Sequence, residues 1–242
     1  MSTVTEHYEN LLADHYSRMF GDFDEKVAEQ RALLERLGVA REGAGDALDL
    51  GCGSGFQSIA LAQLGFRVRA VDLSEKLLAE LTHRRGDLPV EPLQGNIRDA
   101  GDLALPGTEV IVCMGDTLTH LEASADVTRL LAGCASRLAP GGRLVLTFRD
   151  LTRPLEGLDR FLSVRSDPDL LMTCVLEYEA QTVKVHDLVH ARAPGGGWTF
   201  SKSFYRKLRL SPYWVAAEIE QAGLAIAHRE AAGGLVTLVA RR

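Results

Sequence analysis

The sequence predicts an α/β fold: a doubly wound, mostly parallel sheet that carries an antiparallel β insertion after its fifth strand. Three observations predict it. Short apolar runs alternate with helical repeats between residues 46 and 149, the pattern of βαβ units buried on both faces. A glycine cluster (Gly51, Gly53, Gly55) closes the first apolar run and opens a helix. Beyond Arg149 the alternation stops, and long extended stretches separated by turn residues take over.

In chain order, residues 8–20 mix Tyr, His and Leu and predict a helical stretch. Val27, Leu33, Leu34 and Leu37 recur at helical spacing before Gly38, which predicts a helix over 25–37. Buried strands are expected at 47–50, 67–71, 90–93, 109–113 and 143–148, with helices at 57–64, 75–84 and 127–138. The insertion reads as strands at 171–178, 183–192 and 198–210, turning at Pro194-Gly195-Gly196-Gly197. Pro212 opens a helix that ends near Gly223, and strands at 224–228 and 235–240 finish the sheet. With neither repeat nor linker, the chain divides as one domain, 1–242: an N-terminal helical segment (1–40), a core (41–150), the β insertion (151–210), and a final helix with strands (211–242).

At 242 residues, 46% of them hydrophobic, the chain can bury a core without staples. Its 27 basic against 33 acidic residues give a net charge of −6, which argues against nucleic acid or an anionic membrane as partner. No apolar run approaches the roughly 20 residues of a membrane span, and residues 1–10 lack a leader-like apolar stretch. Cys52, Cys113, Cys134 and Cys174 are scattered, as in a reduced, cytoplasmic protein.

The motif with most chemistry in it is Leu48-Asp49-Leu50-Gly51-Cys52-Gly53-Ser54-Gly55. Its glycines let backbone approach a ligand where a Cβ would collide, and the helix that follows offers unpaired N–H groups. Asp72, about 20 residues past Gly51 at the end of the next strand, is placed to accept both ribose hydroxyls of a nucleoside. Phe56 stands where a dinucleotide fingerprint needs its third glycine, and no Gly-Lys-Ser/Thr follows, so a nucleoside without phosphates fits best.

These residues resemble the opening of a class I S-adenosylmethionine-dependent methyltransferase, with the Rossmann-like core of that family covering about 40–150. Gly95-Asn96-Ile97 matches the family's adenine contacts, Met114-Gly115-Asp116 its fourth-strand end, and Leu138-Ala139-Pro140-Gly141-Gly142 its turn before the fifth strand. Residues 113–121 (Cys-Met-Gly-Asp-Thr-Leu-Thr-His-Leu) are similar to the corresponding stretch of the glycine/sarcosine N-methyltransferase type. Gly21-Asp22, Phe148-Arg149-Asp150 and Phe200-Ser201-Lys202 extend that likeness. The resemblance implies S-adenosylmethionine as cofactor and S-adenosylhomocysteine as product. It makes Lys26, Asp49, Gly51, Cys52, Gly53, Gly55, Asp72, Leu73, Asn96, Ile97 and Met114 cofactor-binding: the glycines admit the methionine portion, Lys26 lies near its carboxylate, Asp72 holds the ribose, and Asn96 and Ile97 flank the adenine. Segment 1–40 becomes a lid that presents Tyr16. Arg149 is expected to anchor the substrate, and His120 to touch cofactor or serve as base.

Nucleobase methylation is not expected. Met114-Gly115-Asp116-Thr117 replaces the Asn/Asp-Pro-Pro-aromatic motif, and Cys113 lies inside an apolar run. Asp116 stands where the resembling enzymes carry asparagine, which suggests a small-molecule amine, or a hydroxyl with Asp116 or His120 as base. The plainer alternatives are a helix cap for Asp116, a structural histidine for His120 and an ion pair for Arg149, and cofactor binding without turnover for the whole chain. His186 and His190 share a strand face with Lys184 and Arg192, so a solvated or partner-facing strand is expected there rather than a metal. Tyr8 and Tyr205 are further candidates for a pocket wall, Trp198 and Trp214 for packing, and the insertion for a roof or a homo-oligomer interface.

Overall fold

The structure is a computed structural model that describes residues 4–242, so the first three residues of the expected lid lie outside the described residues. The N-terminal segment is not one helix. It runs through α1 (Val4–His7), a π turn (Tyr8–Leu12), a 3-10 turn (Ala13–His15) and α2 (Tyr16–Met19). The breaks follow from burial in two directions: Leu11 and Leu12 pack beneath one sheet, and Tyr16 against the other. Helix α3 (Phe23–Arg36) starts where the Asp22 side chain accepts from Glu25 N–H (2.9 Å), a side-chain N-cap.

The core then alternates as expected: β1 (Asp46–Leu50), α4 (Phe56–Gln63), β2 (Arg67–Asp72), α5 (Glu75–Arg84), β3 (Val90–Gln94), a short α6 (Ala100–Leu103), β4 (Thr108–Cys113), α7 (Ser124–Arg137) and β5 (Leu138–Arg149). β5 starts earlier than the sequence suggests. Leu138 pairs Thr108 and Arg143 pairs Val110, so residues 139–142 bulge out instead of forming a separate turn. The insertion holds four strands where three are expected: β6 (Phe161–Asp167), β7 (Leu170–Tyr178), β8 (Thr182–Arg192) and β9 (Trp198–Leu208). β6 is a half-exposed edge strand, too weakly patterned to be read in advance. Helix α8 (Pro212–Gln221), β10 (Ala225–Ala232) and β11 (Leu235–Arg241) complete the chain.

One sheet runs β10-β11-β5-β4-β1-β2-β3, parallel except where β11 pairs β5 and β10 antiparallel. Side chains of α3, α4 and α5 cover one face, with Leu34, Leu61 and Leu81 fully buried; α7 and α8 cover the other, with Leu130, Leu131 and Ile219. The second sheet runs β6-β7-β8-β9, all antiparallel, and buries Leu170, Met172, Val185 and Tyr205 against Leu11 and Leu12. In the first sheet β1 has β2 on one side and β4 on the other, so the strand order reverses at the C-terminal ends of β1 and β4. Ligand crevices form at such a point. Among the described residues no helix is long and apolar enough to cross a membrane.

Candidate active site

A cavity of about 390 Å³ opens at that reversal point. Gly51, Gly53, Asp72, Asn96 and Ile97 line it from the core, Tyr8 and Tyr16 from the N-terminal segment, and Thr182, Arg206, Lys207 and Leu208 from the second sheet.

Backbone geometry builds the floor. Gly51 and Gly53 sit at φ of 73° and 54°, where side chains are strained. A Cβ on Gly51 would collide with Thr117, and one on Gly53 would lie 2.9 Å from the Tyr16 ring. The loop is therefore a cradle that only glycine leaves open. Asp72 accepts from Gly53 N–H (2.8 Å) and Ser74 N–H (2.9 Å), one to each oxygen, which aims its carboxylate along the cavity wall with lone pairs to spare. Burial pushes its carboxyl up, although the Ser74 and Gly53 N–H groups pull the other way. The residues present thus fit a nucleoside with vicinal hydroxyls at Asp72 and a flexible chain over the glycines.

The opposite end is aromatic and polar. His120 lies among Tyr8 (ring centroids 5.8 Å) and Tyr205 (5.3 Å), and its buried Nε2 has no hydrogen-bond partner among the described residues. Burial, and secondly the Lys207 cation, drive its pKa down to about 3, so the ring is neutral and Nε2 is available to a ligand. Asp116 holds a left-handed backbone (φ 88°), the only such non-glycine among the described residues. Its carboxylate accepts from Arg149 N–H (2.8 Å) and from Lys207 Nζ (2.5 Å). Burial raises the Asp116 carboxyl, but Lys207 and the Arg149 N–H outweigh it and hold the group below the usual range.

Comparison with known proteins agrees with this geometry. Residues 47–142 match the family described as a methyltransferase domain. That span is similar to methyltransferase domains, and the fold is the one that class I S-adenosylmethionine-dependent methyltransferases share. The chain is 34% identical over 144 residues to glycine N-methyltransferase of Mus musculus, covering 54% of this chain and 48% of that one. It is 41% identical over 110 residues to the cypemycin N-terminal methyltransferase of a Streptomyces species, covering 45% and 42%. The chain thus spans less than half the length of either relative. A solved amino pentose methyltransferase of Micromonospora echinaspora, with S-adenosylmethionine bound, superposes with a TM-score of 0.77 at 21% identity, covering 96% of both chains; that shows the fold.

The fold brings Tyr16, Gly51, Gly53, Asp72, Leu73, Asn96, Ile97 and His120, all singled out in the sequence, to one cavity. Other expected residues lie elsewhere. Lys26 is turned to Glu29 on its own helix (2.7 Å) and does not line the cavity. Asp49 is buried under the loop, accepting from Ser58 Oγ (2.6 Å), and Cys52, Gly55 and Met114 support the loop from within the core. Arg149 contributes its backbone to Asp116 rather than a side chain to the cavity. Asp116 neither caps the 3-10 turn after it (Thr117–His120) through its side chain nor faces a ligand as a free carboxylate, because Lys207 occupies it. His186 pairs with Glu177 and stacks near Phe204, and His190 stacks on Phe200, so neither joins His120. Trp214 packs on the core, whereas Trp198 is exposed beneath Arg192. Sequence reasoning missed Lys207. The available signal was its position two residues after Tyr205 in β9, which puts both on one strand face.

Proposed function

We propose that this chain transfers a methyl group from S-adenosylmethionine to the amine nitrogen of a small molecule, releasing S-adenosylhomocysteine. The observation that carries this reading is that Asp72 and the glycine cradle share one cavity with the unpartnered Nε2 of His120. Bound S-adenosylmethionine supplies a methyl carbon on a sulfonium, an electrophile with its leaving group attached. What remains for the protein is to bring a nucleophile in line and to exclude water. Tyr8, Tyr16 and Leu121 wall the cavity with apolar surface. His120 accepts an N–H from the acceptor and so orients its lone pair. That lone pair forms the new N–C bond as the C–S bond breaks, its electrons stay on sulfur, and the nitrogen, now cationic, passes a proton to water on release.

An amine suits the site better than a hydroxyl. An alcohol or phenol needs a base, whereas His120 is held neutral far below the pH of use and Asp116 is tied to Lys207. The two N-methyltransferase relatives support the same choice. The exposed Phe161, Leu171, Trp198 and Phe200 of the second sheet support a homo-oligomer through the insertion, which light scattering checks.

The test is to incubate the protein with S-adenosylmethionine and a panel of amines, phenols and alcohols, following S-adenosylhomocysteine and the mass of each acceptor. N-methyl products support the reading, and O-methyl products alone replace it with the hydroxyl alternative. Calorimetric binding of S-adenosylhomocysteine without turnover of any acceptor or cell extract marks a non-catalytic binder.

A further inference from the structure

We infer that Lys207 selects the acceptor: its ammonium holds a neutral hydroxyl oxygen on the carbon next to the reacting amine, so the acceptor class is a vicinal amino alcohol. The inference rests on the amine reading above and goes one step further, to what surrounds the nitrogen.

Lys207 comes from β9, in the insertion, yet lines the same cavity as His120 and Asp72. Its side chain is 13% exposed, deep for a lysine. An ammonium carries three N–H donors. Among the described residues its only hydrogen-bond partner is Asp116 Oδ2, and Nζ lies 5.7 Å from the Tyr205 ring centroid. Two donors on a desolvated cation are therefore uncommitted next to the cavity, and a buried donor left unsatisfied is costly. His120 Nε2 is the complementary case, a buried ring nitrogen with no partner, which accepts in the tautomer protonated at Nδ1. Both groups flank Tyr205, His120 at 5.3 Å between centroids. A ligand that gives N–H to one and a lone pair to the other satisfies both, and the shortest such unit is an amine with an oxygen on the adjacent carbon.

Charge decides which oxygen. Lys207 is already neutralised by Asp116, so the pair is a dipole rather than a free cation. A carboxylate drawn to Lys207 would be a second anion beside Asp116 in a water-poor site, where like charges oppose each other strongly. A hydroxyl accepts from Lys207 without adding charge. The strained Asp116 backbone fits this role, since a left-handed non-glycine residue persists where surrounding contacts hold it for a purpose.

Three matched probes test the inference: trans-2-aminocyclohexanol, cyclohexylamine and trans-2-aminocyclohexanecarboxylate, each with S-adenosylmethionine. The expected result is N-methylation of the amino alcohol with a kcat/KM above both others by on the order of tenfold to a hundredfold, the range for a hydrogen bond to a charged group. Because Lys207→Met alone strands a buried carboxylate, the variant is Lys207→Met with Asp116→Asn, which removes donor and charge together. In it the preference for the amino alcohol over cyclohexylamine should fall to about one, while S-adenosylhomocysteine still binds by calorimetry. Equal rates for the wild type, a preference for the carboxylate, or a preference that survives in the double variant overturns the inference and leaves amine methylation standing. O-methyl product from the amino alcohol, with no N-methyl product from any probe, overturns the amine reading itself.

Discussion

The carboxylate of Asp116 and the ammonium of Lys207 meet 2.5 Å apart, joining a loop at the end of the parallel sheet to the last strand of the antiparallel one. The pair is buried on both sides, at 8% and 13% side-chain exposure. It is the ionic connection between the half of the cavity that fits a nucleoside and the half contributed by the insertion.

Breaking that pair from one side leaves an uncompensated buried charge. Lys207→Met should destabilise the fold by about 3–5 kcal/mol in urea denaturation. Adding Asp116→Asn should recover most of the loss, because both charges are then gone. The pH dependence has two edges. The Asp116 carboxyl is depressed in the folded state, so its contribution is present above the unfolded value of about 4 and lost as pH falls through the folded one. Lys207 is raised: burial lowers it, but Asp116 prevails. Its contribution is complete below about 10 and lost as pH rises through the folded value. The stability of the wild type relative to the double variant should therefore be highest between about pH 4 and 10 and fall on either side.

Asp72 is the residue whose loss should be felt first by the cofactor. Asp72→Ala removes the acceptor for a ribose and also the two bonds that hold Gly53 and Ser74 N–H. S-adenosylhomocysteine affinity should fall by on the order of a hundredfold in calorimetry, corresponding to about 1–3 kcal/mol for each unsatisfied buried group. Asp72→Asn, which keeps size and one acceptor, should fall less. Unchanged affinity in the alanine variant would remove Asp72 from the site.

Asp49 makes a pH-dependent prediction of the opposite sign. Burial drives its carboxyl up to about 7, with the Ser58 hydroxyl opposing. A carboxyl raised in the folded state binds a proton on folding, so stability falls as pH rises from about 4 to about 7 and levels off above. Asp49→Asn keeps an acceptor for Ser58 and removes the buried charge. It should stabilise the ligand-free protein by roughly 2–4 kcal/mol at pH 8 and by much less at pH 5. Denaturant midpoints at both values check it, and equal shifts would show that Asp49 does not titrate in that window.

What the sequence revealed of this site is what lies close along the chain. The glycine cradle and Asp72 belong to consecutive βα units, and their spacing carries the geometry with it. His120 was legible for the same reason, since it ends the short turn directly after β4. Lys207 was not, because its partner is 91 positions away and no local periodicity encodes that contact. Arg149 shows the converse error: it ends β5, but only its N–H reaches Asp116, and backbone contacts leave no trace in residue type. Residues 8–20 predict a single helical stretch because their apolar residues suffice for one; the breaks there arise from docking between two sheets.

His120 finally separates the two chemistries that this cavity can be asked to perform. If it orients an amine, it stays neutral at every working pH, because burial and Lys207 hold its pKa at about 3. The kcat profile between pH 5 and 9 should then contain no ionisation from this ring. Any acid limb belongs to the acceptor amine, which must lose its proton before its lone pair can attack, and moves with the acceptor's own pKa. His120→Gln, which keeps a hydrogen-bond acceptor, should retain more kcat than His120→Phe, and neither should shift the limb. A limb near 6.5 that is the same for every acceptor and vanishes in His120→Gln would make the ring a general base and favour hydroxyl methylation.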